Sequence, residues 1–363
     1  MDGWVLDSLA ELVTVESPSG DSDATRQAVE AFADVVRRHL DPQSPDRIEV
    51  SGRTHLCWTW GEPVLLVVGH VDTVWPAGTI DRWPFAVDGD RASGPGVFDM
   101  KCGLIQAVLA LSRLSRLEGI RLLVTTDEEL GSPTSAELVK DSARGLRAAL
   151  VCEPSVDGAV KTARKGIALY EVTATGRAAH AGLEPEKGAN AGLGLAHALV
   201  AVTDLGDPQR GTTVTPTRLE AGTTSNTVPA EGRFAIDVRA VEEAELDRVD
   251  RSLREVLADC SKRVPGVSLE LTGGVNRPPL HPDASASLFT RLRRIDPAIT
   301  GKAVGGGSDG NFTAGIGVPT LDGLGAVGDG AHAEGEHVVV SAIEPRAALL
   351  AALVDDVRGG DGR

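Results

Sequence analysis

Unbroken apolar runs alternate with helically spaced apolar residues along the first part of the chain. The runs have the length and hydrophobicity of buried parallel strands, and they lie near 63–69, 121–126 and 148–152. Helical spacing covers 2–14, 22–40 and a segment near 101–116. Ser22 is the predicted N-cap of the second helix. This βαβ alternation predicts an α/β fold with a mostly parallel sheet flanked by helices.

The pattern changes from about Arg164 onward. It predicts strands at 167–172, 233–239 and 267–272, with helices at 189–204 and 244–259. This is typical of a small α+β unit with an antiparallel sheet, and the Gly- and Pro-rich stretch Gly273–Pro282 would lead back to the first domain. A chain of 363 residues is long enough for two domains. We therefore expect a catalytic domain made of 1–163 and 277–363, with 164–276 inserted.

Polar side chains follow each predicted strand of the first domain. His70 follows the first run, Glu128 and Glu129 follow the second, and Glu153 follows the third. Ligands of open α/β sheets gather at the carboxyl ends of the strands. We therefore expect these side chains to converge on one crevice.

Together with Asp99 and His332, the residues His70, Glu129 and Glu153 supply two imidazoles and three carboxylates. These are donors that suit zinc, with cobalt or manganese as substitutes. One carboxylate can bridge two ions about 3.5–4 Å apart. Asp72 is the candidate acceptor for the second ring nitrogen of His70. Glu128, which is outside the ligand set, has the position of a general base.

The ordered motifs resemble the co-catalytic zinc exopeptidase family that contains bacterial glutamate carboxypeptidase, acetylornithine deacetylase, succinyl-diaminopimelate desuccinylase and aminoacylase. The motifs are His70-Val71-Asp72-Thr73, Gly94-Pro95-Gly96-Val97-Phe98-Asp99, Asp127-Glu128-Glu129-Leu130-Gly131-Ser132, Cys152-Glu153-Pro154-Ser155 and His332-Ala333-Glu334-Gly335-Glu336. The resemblance implies that His70 and Glu153 hold one zinc, that Glu129 and His332 hold the other, and that Asp99 bridges them. It also implies that Glu128 is the catalytic base and that the Asp99–Met100 peptide is cis.

Two positions depart from the family pattern. Cys102 replaces one of the glycines that usually follow the lysine, and we interpret it as a small-residue replacement rather than a thiolate ligand or nucleophile. His337 stands where relatives often carry a tyrosine.

The resemblance also gives roles to residues in and around the insertion, which would be a lid and dimerisation domain. His180 would polarise the scissile carbonyl, acting from the partner subunit of a homodimer. Asn226 and Arg239 would hold the substrate carboxylate, and Arg suits this task because its planar fork binds carboxylates. The loop at Gly306 and Gly307 would line the substrate pocket, and Lys161 would meet an acidic side chain.

These expectations define a di-zinc hydrolase that cleaves the amide bond of an N-acyl amino acid or small peptide with a free carboxylate, as glutamate carboxypeptidase does. One alternative is an N-acyl amino acid deacylase of the acetylornithine type. The other is a metal-binding scaffold without turnover, which the presence of Glu128 disfavours because a scaffold needs no base.

Net charge and cysteine usage restrict the partners. The net charge of −16 disfavours nucleic acid and anionic membranes. No apolar run is long enough to span a bilayer. The start of the chain carries no pattern typical of a secretory signal, and the four cysteines show no paired spacing. We expect a cytoplasmic protein with reduced thiols.

Overall fold

The computed structural model describes residues 3–359. The chain forms two compact units. Unit 1 contains the described residues up to Arg164 and from Leu280 onward, and unit 2 is Lys165–Pro279. Among the described residues, no helix is both long and apolar enough to cross a membrane.

The helices are numbered in chain order. They are α1 Gly3–Thr14, α2 Ser22–His39, α3 Thr79–Arg82, α4 Cys102–Ser112, α5 Ala136–Ala143, α6 Ala191–Thr203, α7 Glu243–Ser261, α8 Pro282–Ile295, α9 Asp309–Gly315 and α10 Val340–Gly359. The strands are β1 Asp46–Val50, β2 Arg53–Trp60, β3 Leu65–His70, β4 Ala86–Asp88, β5 Arg91–Ser93, β6 Ile120–Thr125, β7 Ala148–Val151, β8 Val160–Arg164, β9 Gly166–Thr175, β10 Thr213–Ala221, β11 Glu231–Ala240, β12 Ser268–Arg277, β13 Gly301–Val304, β14 Thr320–Leu321, β15 Gly328–Asp329 and β16 His337–Val339.

The core of unit 1 is a six-stranded sheet in the order β1-β2-β6-β3-β7-β14. Strands β6, β3, β7 and β14 are parallel, whereas β1 and β2 add an antiparallel edge. Every residue of β3 and β7 is buried, which explains their unbroken apolar runs. The carboxyl ends of β3, β6 and β7 therefore lie side by side. The predicted α/β fold with a mostly parallel sheet is confirmed.

Unit 2 has an antiparallel sheet in the order β10-β11-β9-β12 with α6 and α7 packed on it. Its core alternates along the strands, with Ala168, Tyr170 and Val172 of β9 buried. Strand β12 continues through Gly273 to Arg277. The prediction that Gly273–Pro282 is only a connection is therefore wrong for its first half, because a glycine-rich sequence can still pair as a strand.

Helix α2 begins differently from the prediction. The N-cap is Asp21, whose carboxylate accepts hydrogen bonds from the backbone N–H groups of Asp23 and Ala24. Ser22 is already inside the first turn. The Ser22 prediction is wrong because Asp and Ser are both good caps, and the local sequence does not decide between adjacent candidates.

Candidate metal centre

Two histidines and three carboxylates converge where the strands predict. His70 ends β3, Glu129 follows β6 and Glu153 follows β7. His70 Nε2 lies 3.4 Å from Asp99 Oδ1 and 3.5 Å from Glu153 Oε1. His332 Nε2 lies 3.4 Å from Asp99 Oδ2 and 3.1 Å from Glu129 Oε1. Each oxygen of Asp99 therefore faces a different histidine, and the cluster has two sides.

The donor atoms fit a metal ion. Among the described residues, His70 Nε2 and Asp99 Oδ1 are buried and have no hydrogen-bond partner. Buried polar atoms normally form hydrogen bonds. Two neighbouring buried atoms that form none indicate a place for a ligand. Ligand-type atoms of His70, Asp99 and Glu129 all lie within 4.8 Å of one another. Imidazole nitrogens and carboxylate oxygens are the donors that zinc prefers.

The electrostatics of the cluster favour positive charge. Burial alone would lower the pKa of His70, but the carboxylates of Asp72, Asp99 and Glu153 raise it well above its ordinary value. Hydrogen bonds to Asp99 and Glu129 raise the pKa of His332 to about 10. Burial raises the pKa of Glu129 to about 7. The surrounding carboxylates therefore favour positive charge at the two imidazoles, and metal cations would meet the same preference.

The backbone near His70 fixes which ring nitrogen faces the cluster. His70 Nδ1 lies 2.9 Å from the backbone carbonyl oxygen of Asp72 and 3.4 Å from Asp72 Oδ1. Nδ1 therefore carries the proton, and Nε2 presents its lone pair. Asp72, the expected acceptor, thus contacts Nδ1 more closely through its backbone carbonyl than through its carboxylate.

The Asp72 carboxylate instead holds the segment after β6. Its two oxygens accept the backbone N–H groups of Glu128 and Glu129, each at 3.2 Å. Ser19 Oγ donates to Oδ2 at 2.7 Å. A carboxylate oxygen of Glu128 lies within 4.8 Å of ligand atoms of His70 and Glu153. One buried carboxylate thus orients both neighbouring glutamates.

A buried glutamate shapes the turn that carries Asp99. Glu336 accepts the backbone N–H groups of Gly96, Phe98 and Asp99 at 2.8–3.0 Å. Trp75 Nε1 donates to the same carboxylate at 2.8 Å. The Asp99–Met100 peptide is cis, as expected. Sequence reasoning gave Glu336 no role, and only its position in the motif that follows His332 marks it.

The departure at Cys102 leaves the site without a reactive thiol. Burial raises the pKa of Cys102 to about 12, so the sulfur stays protonated. The neighbouring Gly103 is the position that must be small, because a Cβ there would lie 2.0 Å from the carbonyl oxygen of Cys152. This supports the interpretation of Cys102 as a replacement that packs.

Of the other predicted residues in unit 1, Lys161 lies beside Glu153, whereas Gly306 and Gly307 contact Arg164. Lys161 Nζ is 3.6 Å from Glu153 Oε2. The carbonyl oxygens of Gly306 and Gly307 accept hydrogen bonds from the buried guanidinium of Arg164, which also contacts Glu153. The sequence does not predict these contacts of Arg164, because an arginine beside a lysine at a domain boundary is typical of solvated surface.

The remaining predicted residues belong to unit 2. His180 Nδ1 accepts the backbone N–H groups of Gly182 and Leu183 at 3.1 and 3.2 Å, so Nε2 carries the proton. The Asn226 carbonyl oxygen accepts from Ala181 N at 2.9 Å, which ties its loop to that of His180. Arg239 donates through Nε and Nη2 to the two oxygens of Asp237, both at 2.7 Å.

A His-carboxylate cluster beside the strand ends of an α/β sheet, with a further glutamate next to it, defines a metal-dependent hydrolase. Residues 66–356 match the profile of Peptidase family M20/M25/M40. The chain belongs to this family of metallopeptidases.

Individual relatives agree with this membership. The chain is 29% identical to carboxypeptidase G2 of Pseudomonas sp. (strain RS-16), over 98% of this chain and 90% of that protein. It is 27% identical to succinyl-diaminopimelate desuccinylase of Acinetobacter baylyi, over 82% and 84%. A tripeptidase from Staphylococcus aureus shares the fold with a TM-score of 0.78 and 20% identity, covering 97% of both chains. An M20 family metallo-carboxypeptidase from Sulfolobus solfataricus has a TM-score of 0.77 at 15% identity, covering 98% and 99%.

Proposed function

We propose that this metallohydrolase is a di-zinc carboxypeptidase that cleaves the amide bond of an N-acyl amino acid or small peptide with a free carboxylate. The observation that carries the proposal is the two-sided position of Asp99 between His70 and His332. His70 and Glu153 would hold one ion, Glu129 and His332 the other, and Asp99 both. When bound, the ions polarise the substrate carbonyl and lower the pKa of water.

Glu128 is the proposed general base. Its backbone is fixed by Asp72, and its carboxylate lies near the ligand atoms of His70 and Glu153. Glu128 would accept a proton from the attacking water and then donate it to the leaving amine. This pairing of steps lets a single carboxylate serve as base and acid.

His180 is the proposed donor to the carbonyl oxygen. Because Gly182 and Leu183 donate to Nδ1, the imidazole presents an Nε2–H, which is the group that stabilises a developing negative charge. We propose that His180 acts from the partner subunit of a homodimer. Exposed apolar side chains of unit 2 support such an interface, namely Leu193 and Val200 on α6 and Leu219 on β10.

The substrate carboxylate would be held by Asn226, Arg239 and the loop at Gly306 and Gly307. Arg239 already forms a two-pronged pair with Asp237, so a substrate would be held through the Nη1 edge of the guanidinium. Lys161 would meet an acidic side chain, and the likeness to carboxypeptidase G2 supports carboxypeptidase activity. The likeness to succinyl-diaminopimelate desuccinylase favours an N-acyl amino acid deacylase as the second candidate.

Two measurements test the proposal. Metal analysis of active protein should approach about two equivalents per chain, and saturation at one equivalent with full activity would refute the bridged site. N-acyl and peptidyl derivatives of glutamate, ornithine and leucine should then be compared under identical zinc loading. A preference for glutamate supports the carboxypeptidase, whereas a preference for N-acyl-ornithine would favour the deacylase.

A further inference from the structure

Arg164, the last residue of β8, is a buried arginine whose guanidinium contacts three different parts of unit 1. Its side chain is only 3% exposed. Nη2 donates to Glu153 Oε2 at 3.0 Å, and Nε donates to Asp322 Oδ2 at 2.7 Å. Nη1 donates to the carbonyl oxygens of Gly306 and Gly307 at 3.1 and 3.0 Å. All three nitrogens of the guanidinium thus donate hydrogen bonds.

The two oxygens of Glu153 have different surroundings. Oε1 lies 3.5 Å from His70 Nε2, on the side of the proposed ligands. Oε2 lies 3.0 Å from Arg164 Nη2 and 3.6 Å from Lys161 Nζ. The carboxylate is therefore asymmetric, with one oxygen held by cationic side chains and the other directed toward the cluster.

We propose that Arg164 is a positioning residue. It binds Oε2 of Glu153, so that Oε1 is the oxygen presented to metal. The same guanidinium also fixes the loop at Gly306 and Gly307, which we call the glycine loop. This inference rests on the assignment of Glu153 as a metal ligand proposed above. Partners that orient a ligand from behind tune its affinity for metal, commonly by about ten- to a hundredfold.

The hold on the glycine loop follows from peptide geometry. The C=O and N–H groups of a trans peptide point in opposite directions. Because the Gly306 carbonyl points at Arg164, the N–H of Gly307 points away from it. The next amide, Ser308 N–H, donates to Asn311 Oδ1 at 2.9 Å. Arg164 therefore orients the Gly307 N–H away from the guanidinium, and we expect this amide to be the one that the loop offers to a substrate.

The network needs an arginine rather than any cation. Asp322 is fully buried and neutralises the guanidinium, and Ser308 Oγ donates to Asp322 Oδ2 at 2.5 Å. A lysine has a single nitrogen and cannot reach Glu153, Asp322 and two carbonyls together. Arg164→Lys keeps the positive charge but loses the planar guanidinium. The variant therefore separates the effect of hydrogen-bond geometry from the effect of charge.

The test compares Arg164→Lys and Glu153→Gln with wild-type protein and with Arg121→Lys. Arg121 donates to Thr59 and Ser142 in the same unit and touches no residue of the metal centre. Metal affinity is measured by competition with a chelator, and the visible absorption spectrum of the Co²⁺-loaded protein reports the ligand geometry. Steady-state kinetics then separate KM from kcat.

We expect Arg164→Lys to weaken metal binding by about ten- to a hundredfold, to change the Co²⁺ spectrum and to raise KM. Arg121→Lys should match wild type in all three readouts. If Glu153→Gln weakens binding while Arg164→Lys stays within about twofold of wild type with the same spectrum, the positioning role is wrong and the ligand assignment stands. If Glu153→Gln itself binds metal normally, the ligand assignment is wrong and this inference falls with it.

A structure of the zinc-loaded wild-type protein keeps the inference testable if Arg164→Lys does not fold. Arg164 Nη2 should stay within hydrogen-bond distance of Glu153 Oε2. A separation beyond about 4 Å would overturn the proposal, because charge-assisted hydrogen bonds are shorter than 3 Å on average.

Discussion

Asp72 links three groups of the metal centre through a single buried residue. Its backbone carbonyl accepts from the His70 ring, and its carboxylate accepts the N–H groups of Glu128 and Glu129. A histidine two residues away and two glutamates more than fifty positions away are thereby held together. The acceptor atoms must be placed to fractions of an ångström, and only a rigid strand end provides this.

The first prediction concerns Glu128. Glu128→Gln keeps the shape of the side chain and removes its basic oxygen, so kcat should fall at least about a hundredfold while metal content stays unchanged. Glu129→Gln, the adjacent control, should instead reduce the metal content. Both quantities come from steady-state kinetics and elemental analysis of the same preparations, and near-normal turnover by Glu128→Gln would reject the base.

At the level of single residues, the sequence predicts the side chains that lie at or just after the carboxyl end of a strand. His70, Glu129 and Glu153 come together because His70 ends a buried strand and each glutamate lies a few residues after one. The sequence does not predict the contacts of Arg164 and Glu336, since the partners of both residues lie far along the chain. Arg164 pairs with Asp322, 158 positions away, and Glu336 binds the backbone 237 positions before it. The local pattern of apolar and polar residues does not reveal pairs that lie so far apart in the sequence.

The second prediction concerns the start of α2. Asp21→Ala removes the side-chain acceptor for two orphan N–H groups and should lower the free energy of unfolding by about 1 kcal/mol. Ser22→Ala, at the next position, should have little effect. Urea unfolding followed by circular dichroism measures both, and a larger loss in Ser22→Ala would show that the cap is Ser22.

The third prediction concerns acid stability of unit 2. Glu245 lies in the first turn of α7 and accepts from Arg248, Arg210 and Thr212, and these bonds hold its pKa at about 2. Because the folded pKa is below the ordinary value of 4.5, Glu245 contributes stability above pH 4.5 and loses it as the pH falls toward 2.

Glu245→Gln should therefore be less stable than wild type at pH 7, and the gap should narrow as the pH drops below about 4.5. Glu243→Gln, an exposed neighbour on α7, serves as the matched control. Urea unfolding midpoints across the pH range provide the readout. A gap that is constant with pH would show that the carboxylate charge has no role.

Among the elements, neither burial nor an edge position alone decides which strands the sequence predicts. The sequence predicts β3, which is buried throughout, and the edge strand β12, but it misses the exposed edge strand β10 and the mostly buried β2. Strand β10 is the sheet edge of unit 2 and is mostly exposed, and its threonines and Pro216 resemble a loop. The sequence signal of a strand is an apolar or alternating run, which the exposed β10 lacks and which the buried polar residues Thr54 and His55 interrupt in β2.

The fourth prediction concerns the whole molecule as a proposed dimer. If His180 acts from the partner subunit, mixing inactive Glu128→Gln chains with inactive His180→Ala chains should create heterodimers with one intact site. Activity should recover to at most about a quarter of wild type when the chains mix randomly. Subunit exchange must be verified by differently tagged chains, and exchange without recovery would mean that each chain supplies its own His180.

The chain leaves and re-enters unit 1 at two residues that are hydrogen-bonded to each other. Arg164 N donates to the Leu280 carbonyl at 2.9 Å, and Leu280 N donates back to Arg164 at 3.0 Å. For unit 1, the whole of unit 2 is thus equivalent to a closed loop between paired residues, and closure entropy grows by only about 0.6 kcal/mol per doubling of loop length. Inserts of very different size can be exchanged at this junction at small thermodynamic cost, which makes it a natural point of recombination for engineered chimaeras.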